Sequence, residues 1–192
     1  MCIRPYSDYV SNEIRMKGEW SECRELLKVW KASNHGKSSL FVDIGANIGS
    51  CSLLLASEGA KVLSFEPIPS NLFYFTSSIM RNNQFDIQLY PFGLGNVPIN
   101  NVLMFSEPHN RGNSVVSKPL PVDSKGMSIM ETHNVTIQIS TLDDILFPQL
   151  NVSIDLIKLD VQGYEVNVLK GGKSILSSGF VKYIYFEMAP KF

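Results

Sequence analysis

Apolar residues occur along the chain in short continuous runs, separated by stretches in which an apolar residue recurs every three or four positions. The runs have the length of strands buried on both faces, and the stretches between them have the spacing of amphipathic helices. Strands that alternate with helices form a mostly parallel sheet with helices on both faces. The pattern therefore predicts an α/β fold with strands at residues 40–42, 61–66, 87–92, 154–160 and 183–187.

The first strand leads into a glycine turn and a helix, within LFVDIGANIG over residues 40–49. Gly45 and Gly49 bracket the turn, where the absence of a Cβ lets backbone amides approach a ligand closely. The next strand ends at Glu66, and an acid there can accept both hydroxyls of a ribose. These features indicate a nucleotide-binding βαβ unit. A flavodoxin-like unit, whose glycines only make a turn, is the alternative.

The turn departs from the dinucleotide-binding pattern, and the departure bears on the ligand. Asn47 stands where G-x-G-x-x-G has its second glycine, and Asp43 leads the turn. An acid at that place is unfavourable for a pyrophosphate but suits a cation. S-adenosylmethionine carries a sulfonium and an ammonium and has no phosphate. The sequence therefore favours S-adenosylmethionine over NAD as the cofactor.

Acidic residues stand at the ends of three predicted strands. They are Asp43, Glu66 and Asp160. In an open α/β sheet, ligands bind outside the carboxyl ends of the strands. We therefore expect the three carboxylates to converge on one rim of the sheet.

Five segments resemble, in order and spacing, the successive motifs of the FkbM-type methyltransferases. They are VDIGANIG over 42–49, FEP over 65–67, TLDD over 141–144, IKLDVQGYE over 157–165 and VLKGG over 168–172. The resemblance implies a Rossmann-like class I methyltransferase fold. It also implies S-adenosylmethionine-dependent O-methylation of a hydroxyl, on a small molecule or a glycan.

The residue patterns and the resemblance together suggest which residues form the site. Cofactor binding is expected along the glycine turn, at the second strand end and in the loop after the third strand, at Asp43, Gly45, Ala46, Asn47, Gly49, Glu66, Pro67 and Gly93. Asp160 is the first candidate for a general base or acceptor-orienting group, and Glu165 is the second. Asp160 could instead bind the cofactor or cap the following helix, and Glu165 could answer the helix dipole. Gln162 replaces the family's usual Glu, which leaves too few oxygen ligands to propose a metal.

The rest of the chain predicts an N-terminal unit, an insertion and a helix cap. Residues 1–18 are weakly patterned and predict an arm, and residues 20–32 predict an amphipathic helix that covers the sheet. Residues 106–134 lack periodicity and predict a flap over the acceptor site. Thr141 is expected to cap a helix whose dipole Asp143 and Asp144 answer.

These features divide the chain into an arm and helix over 1–38 and a methyltransferase domain over 39–192. Residues 102–105 and 135–139, which flank the flap, predict two further strands that form an antiparallel pair.

Composition narrows the range of partners. The chain has 192 residues, of which 44% are hydrophobic and 18% charged, with a net charge of −1. A chain of this length suits one domain, and the small net charge argues against nucleic acid as a partner. No apolar stretch approaches the length of a membrane span. The three cysteines lack metal-ligand spacing, and their odd number argues against a disulfide framework and favours a reducing, cytoplasmic compartment.

The predicted fifth strand raises the question of what covers it. In class I methyltransferases a helix and an antiparallel hairpin follow this strand, and we expect both to be missing here. Residues 183–187 would then form an exposed apolar edge. We expect the chain to be a fragment; a homodimer through this edge, or coverage by the N-terminal arm, is the alternative. The rival functions are a non-catalytic cofactor-binding domain and an NAD(P)-dependent oxidoreductase.

Overall fold

A five-stranded parallel sheet forms the centre of the chain. The computed structural model describes residues 1–5, 8–33, 39–107, 110–116, 133–147 and 153–186, with the backbone alone at 105–107, 110–116 and 133–134. The central strands are β1 (Leu40–Ile44), β2 (Lys61–Phe65), β3 (Ile87–Tyr90), β8 (Ile154–Leu159) and β9 (Val181–Phe186), in the order β3-β2-β1-β8-β9. Every neighbouring pair is parallel. This arrangement confirms the predicted α/β class.

Helices pack on both faces of this sheet because β1, β2 and β8 are apolar on both sides. The helices are α1 (Tyr9–Lys17), α2 (Ser21–Ser33), α3 (Ser50–Ser57), α4 (Pro69–Arg81), α5 (Leu142–Leu146), α6 (Glu165–Gly171) and α7 (Lys173–Ser177). On one face, Leu26 and Trp30 of α2 and Leu55 of α3 pack against Phe41. On the other face, helices α5, α6 and α7 cover the alternate residues of the same strands.

A second, smaller sheet lies beyond β3. Its strands are β4 (Gly93–Leu94), β5 (Ile99–Glu107), β6 (Asn110–Val116) and β7 (His133–Ser140), in the order β4-β7-β5-β6. Strands β5 and β7 are antiparallel, as the sequence predicts. The prediction of a flap over 106–134 is wrong in part, because β6 pairs with β5 inside that segment. The rest of the predicted flap, residues 117–132 and 108–109, lies outside the described residues.

The N-terminal residues differ from the predicted arm because they form a capped helix with a buried anchor. Asp8 caps α1 by accepting from the backbone of Ser11, and Gly18 ends the helix in the left-handed conformation. Ahead of the helix, the side chain of Arg4 is fully buried. Hydrogen bonds from Arg4 to Asn47 and Asn71 place this segment beside the glycine turn and α4.

A disulfide joins α2 to α3, so the argument from the odd number of cysteines against disulfide bonding is wrong. Cys23 and Cys51 are bonded, with their Cα atoms 4.8 Å apart, and Cys2 is free. Both bonded residues point from their helices toward the sheet, which places their side chains together despite a sequence separation of 28. The expectation of a reducing, cytoplasmic compartment loses its basis and stays an untested prediction.

Strand β9 presents an apolar outer side. Tyr183, Ile184 and Phe186 are exposed there. The N-terminal segment contacts the glycine turn and α4 on the other half of the sheet, so its described residues do not cover β9 as one expectation proposed. None of the helices in the described ranges has the length and hydropathy needed to cross a bilayer.

Candidate active site

The glycine turn is fixed against the neighbouring strands by its backbone. The amides of Gly45 and Ala46 both donate to the carbonyl of Phe65, at 3.0 and 3.1 Å. Gly45 has a φ of 83°, and a Cβ there would collide with the backbone oxygen of Asp160. Asn47 also has a positive φ, 54°, which asparagine tolerates better than most residues. The turn therefore requires glycine at position 45 for close packing and favours asparagine at position 47 for its backbone conformation.

Glu66 sits at the end of β2 inside a set of hydrogen-bond donors. Its Oε2 accepts from the backbone amide of Asn47 at 2.8 Å. Its Oε1 accepts from the backbone amide of Ile68 at 2.8 Å and from Nδ2 of Asn71 at 3.1 Å. Burial raises the pKa of Glu66 to about 7, although these donors and the guanidinium of Arg4 lower it. The carboxylate is held rigidly and keeps lone pairs for a ligand.

A buried lysine links two of the predicted acids. Lys158 Nζ lies 3.2 Å from Asp160 Oδ2 and 3.7 Å from Asp43 Oδ1. It also donates to the carbonyl of Gly45 at 3.4 Å. Burial lowers the pKa of Lys158, but Asp160 and Asp43 outweigh this and the pKa rises, so the ammonium is retained. Lys158 therefore stabilises the glycine turn and the acid at the end of β8 together.

Asp43 lies beneath the glycine turn and not on the rim. Its side chain is fully buried and accepts from Oγ of Ser52 at 2.6 Å. Burial raises the pKa of Asp43, and the ammonium of Lys158 partly offsets this. The expectation that three carboxylates converge on one rim is therefore met by Glu66 and Asp160 only.

An open cleft of about 650 Å³, its mouth included, lies at the carboxyl ends of β1, β2 and β8. Six of the predicted site residues line it: Gly45, Asn47, Glu66, Pro67, Gly93 and Asp160. Asp43, Ala46, Gly49 and Glu165 do not. Gly49 instead packs against the ring of Phe75, where a Cβ would collide.

Asp160 and Glu165 occupy different positions in the turn after β8. Asp160 Oδ1 accepts from Nε2 of Gln162 at 2.7 Å, and the carboxyl group is partly exposed to the cleft. Glu165 Oε1 accepts from the backbone amides of Val161 and Gly163, each at 3.1 Å. Of the two acids, Asp160 faces the cleft, and Glu165 orders the turn that carries it.

The second sheet supplies a wall of the cleft that the sequence did not reveal. Met104, Ile137 and Ile139 line it together with Ile68, and Tyr164 of the turn before α6 packs against them. The alternation of β7 contained a signal, since Ile137 and Ile139 point to one face. Arg4 and Asn71 behind Glu66 had no sequence signal. Within the described ranges, no three side chains of the metal-binding types are grouped.

A family model and a known protein, both described as methyltransferases, match this chain. The family model described as the methyltransferase FkbM domain matches residues 43–191. A protein named Methyltransferase 1 from Beauveria bassiana (strain ARSEF 2860) is 30% identical over 145 residues, which are 69% of this chain and 58% of that protein. The chain thus spans little more than half the length of that relative.

Solved structures support the fold. The crystal structure of monomeric WbdD superposes with a TM-score of 0.53 at 12% identity, covering 97% of this chain and 37% of WbdD. The co-crystal structure of WbdD with the kinase inhibitor LY294002 gives the same TM-score and identity, covering 96% of this chain and 35% of WbdD. At this identity the likeness concerns the fold alone.

Proposed function

The chain belongs to the methyltransferase FkbM domain family, and from this premise we propose that it is an S-adenosylmethionine-dependent O-methyltransferase acting on a hydroxyl of a small molecule or glycan. The choice of S-adenosylmethionine over NAD rests on the charge of the residues that line the cleft. Among the described lining residues, the charged ones are Glu66 and Asp160, both acids. A cleft of this kind suits a cationic ligand and disfavours the pyrophosphate of NAD.

The described residues fit the proposed cofactor in shape and chemistry. Glu66 lies at the end of β2 with lone pairs available for the two ribose hydroxyls. Next to it, the apolar wall of Ile68, Ile137 and Ile139 matches the faces of an adenine ring. When bound, S-adenosylmethionine supplies a methyl group on a positively charged sulfur, which an oxygen nucleophile can accept.

Asp160 is the residue we assign to the acceptor hydroxyl. It faces the cleft at the end of β8, and Lys158 and Gln162 fix both of its oxygens. A carboxylate held in this way can accept the proton of a bound hydroxyl and orient its oxygen, and a positioned base contributes about 10²–10⁴-fold to rate. Holding two reactants in near-attack geometry contributes more, roughly 7–11 kcal/mol. Glu165 contributes indirectly through the turn that carries Asp160.

The first test is calorimetric titration of the chain with S-adenosylhomocysteine, with NAD in parallel. We expect S-adenosylhomocysteine to bind and NAD not to bind. Glu66→Ala should weaken binding by at least about tenfold, which corresponds to 1.4 kcal/mol. Glu58→Ala is the matched control, because Glu58 is an exposed acid at the end of α3 that pairs with Lys31 on the surface. Binding of NAD in place of S-adenosylhomocysteine would support the oxidoreductase alternative.

The second test measures transfer of a labelled methyl group from S-adenosylmethionine to a panel of monosaccharides and small alcohols. We expect transfer by the wild type and its loss in Asp160→Asn, with binding of S-adenosylhomocysteine retained. A chain that binds S-adenosylhomocysteine but methylates no member of the panel would favour the non-catalytic alternative. No binding of S-adenosylhomocysteine by the folded chain would contradict the proposal as a whole.

A further inference from the structure

Arg4 is a buried charge that lies outside the segment matched by the family model. That segment is 43–191, whereas Arg4 precedes α1 and its side chain is completely buried. One guanidinium nitrogen pairs with Asp8 Oδ1 at 2.9 Å. The other donates to Oδ1 of Asn47 at 2.8 Å and to Oδ1 of Asn71. A buried guanidinium with three partners on separate parts of the chain needs an explanation beyond surface pairing.

The two asparagines that Arg4 contacts are the ones that hold Glu66. Asn47 donates its backbone amide to Oε2, and Asn71 donates Nδ2 to Oε1. Because Arg4 occupies the Oδ1 atom of Asn71, the amide nitrogen of Asn71 is turned toward the carboxylate. The guanidinium fork holds Asp8 through one nitrogen and both asparagines through the other, a spread that the single ammonium of a lysine could not reproduce. Arg4 thus orients the donors of Glu66 without touching the cleft.

We propose that Arg4 is a positioning residue of the cofactor site, and that docking of the N-terminal segment, described at residues 1–5 and 8–17, is coupled to cofactor binding. This inference rests on the proposed function, since it takes Glu66 as the ribose-binding acid. Such coupling is reciprocal: if the docked segment favours the cofactor, the cofactor favours the docked segment by the same factor.

The charged groups around Glu66 support the proposed role of Arg4. Arg4, which is paired with Asp8, faces Glu66 from the N-terminal segment, whereas the glycine turn and α4 present the neutral Asn47 and Asn71. On the other side of the cleft stand Asp160 and its partner Lys158. Burial raises the pKa of Glu66 to about 7, and Arg4 acts against that rise. Loss of the guanidinium should therefore leave more of Glu66 protonated at neutral pH.

The experiment is calorimetric titration of the full chain with S-adenosylhomocysteine, from about pH 6 to pH 8.5, a range that brackets the pKa of Glu66. For Arg4→Gln we expect affinity at pH 7 at least about tenfold lower. The pH at which binding is half-maximal should also rise, which a merely structural defect would not cause. Arg4→Lys should restore the midpoint but only part of the affinity. Arg24→Gln is the matched control, because Arg24 is an exposed arginine paired with Glu19.

Hydrogen exchange on the wild type supplies a readout that needs no variant. Saturating S-adenosylhomocysteine should slow exchange of the α1 amides as well as those of the glycine turn. If Arg4→Gln does not fold, this measurement decides: unchanged exchange in α1 overturns the coupling. A folded Arg4→Gln with wild-type affinity and midpoint also overturns it, while leaving the proposed function intact. Absence of binding by the wild type overturns the proposed function and the inference together.

Discussion

Lys158 connects the glycine turn to the acid at the end of β8. Its ammonium lies within 3.7 Å of Asp43 and within 3.2 Å of Asp160, and its side chain is buried. Removing one partner of a buried ion pair leaves a charge uncompensated, which costs about 3–5 kcal/mol. The chain therefore depends on Lys158 for stability as well as for the shape of the cleft.

We predict that Lys158→Met lowers the free energy of unfolding by about 3–5 kcal/mol in urea titrations. Because the unpaired Asp43 accounts for much of this cost, Asp43→Asn should be less harmful in the Lys158→Met background than alone. Lys61→Met is the control, since Lys61 is exposed at the start of β2 and should change stability by less than about 0.5 kcal/mol. If the effects of Lys158→Met and Asp43→Asn on the free energy of unfolding were strictly additive, the pairing of Lys158 with Asp43 would be contradicted.

At the residue scale, the sequence predicts which acids stand at the strand ends but not where their side chains point. Glu66 and Asp160 could be predicted because a strand end in a parallel sheet places a side chain at the ligand rim. Asp43 has the same signature, yet the structure places it inside β1, where its side chain turns under the glycine turn to meet Ser52. Nothing in the local pattern reveals this direction, because it depends on which neighbouring helix supplies a polar partner. Lys158 was missed for the same reason.

At the scale of elements, the disulfide between α2 and α3 joins the helix before the sheet to the helix that follows the glycine turn. Cys51 is in the first turn of α3, directly after the glycine turn. A covalent link there reduces the conformational freedom of the unfolded chain, and in the folded chain it keeps α2 on the sheet. Closing a loop of this size contributes about 2–4 kcal/mol.

We predict that Cys23→Ser lowers the free energy of unfolding by about 2–4 kcal/mol, and that reductant has the same effect on the wild type. Cys2→Ser is the matched control, because Cys2 is free, and it should be neutral to within about 0.5 kcal/mol. The measurement is chemical denaturation with and without reductant, alongside a count of free thiols. Three free thiols in the oxidised wild type would contradict the bond.

An element could be predicted from the sequence where its local apolar pattern determines it, and it was missed where that pattern does not. The strands of the central sheet and helix α2 followed from apolar periodicity, since burial depends on the local pattern. Asp143 shows where that reasoning stops. It lies in the first turn of α5, as predicted, but it also accepts from the backbone amides of Ser174 and Ile175, both at 2.8 Å, and so caps α7. Helix α1 and strand β6 were also missed: Arg4 anchors the segment before α1 to residues distant in sequence, and β6 pairs with the preceding strand although its sequence, NRGNSVV, has no apolar periodicity.

At the scale of the whole molecule, the cleft lies between two sheets. The central sheet supplies Glu66 and Asp160, and the second sheet supplies the apolar wall of Met104, Ile137 and Ile139. A ligand in the cleft therefore contacts both sheets and should stabilise them as one unit. At a concentration of 100 times its dissociation constant, such a ligand adds about 2.7 kcal/mol to the free energy of unfolding.

The alternation of β7 allows a matched test of this wall. Ile137 points into the cleft and is buried, whereas its neighbour Thr136 points to the opposite face and is exposed. We predict that Ile137→Ala weakens binding of S-adenosylhomocysteine about tenfold, because apolar surface that would cover the adenine is lost. Thr136→Ala should leave the affinity within about twofold, since a surface substitution of this kind changes energies by less than about 0.5 kcal/mol.

Thermal unfolding with and without S-adenosylhomocysteine separates the two effects of Ile137→Ala. The unliganded variant should melt lower, because truncating a buried isoleucine leaves a cavity. Its ligand-induced rise in melting temperature should also be smaller than that of the wild type, because occupancy falls with affinity. An equal rise in both proteins would place the ligand away from β7. The second sheet would then stabilise the fold without forming the site, and the adenine would have to contact residues of the central sheet alone.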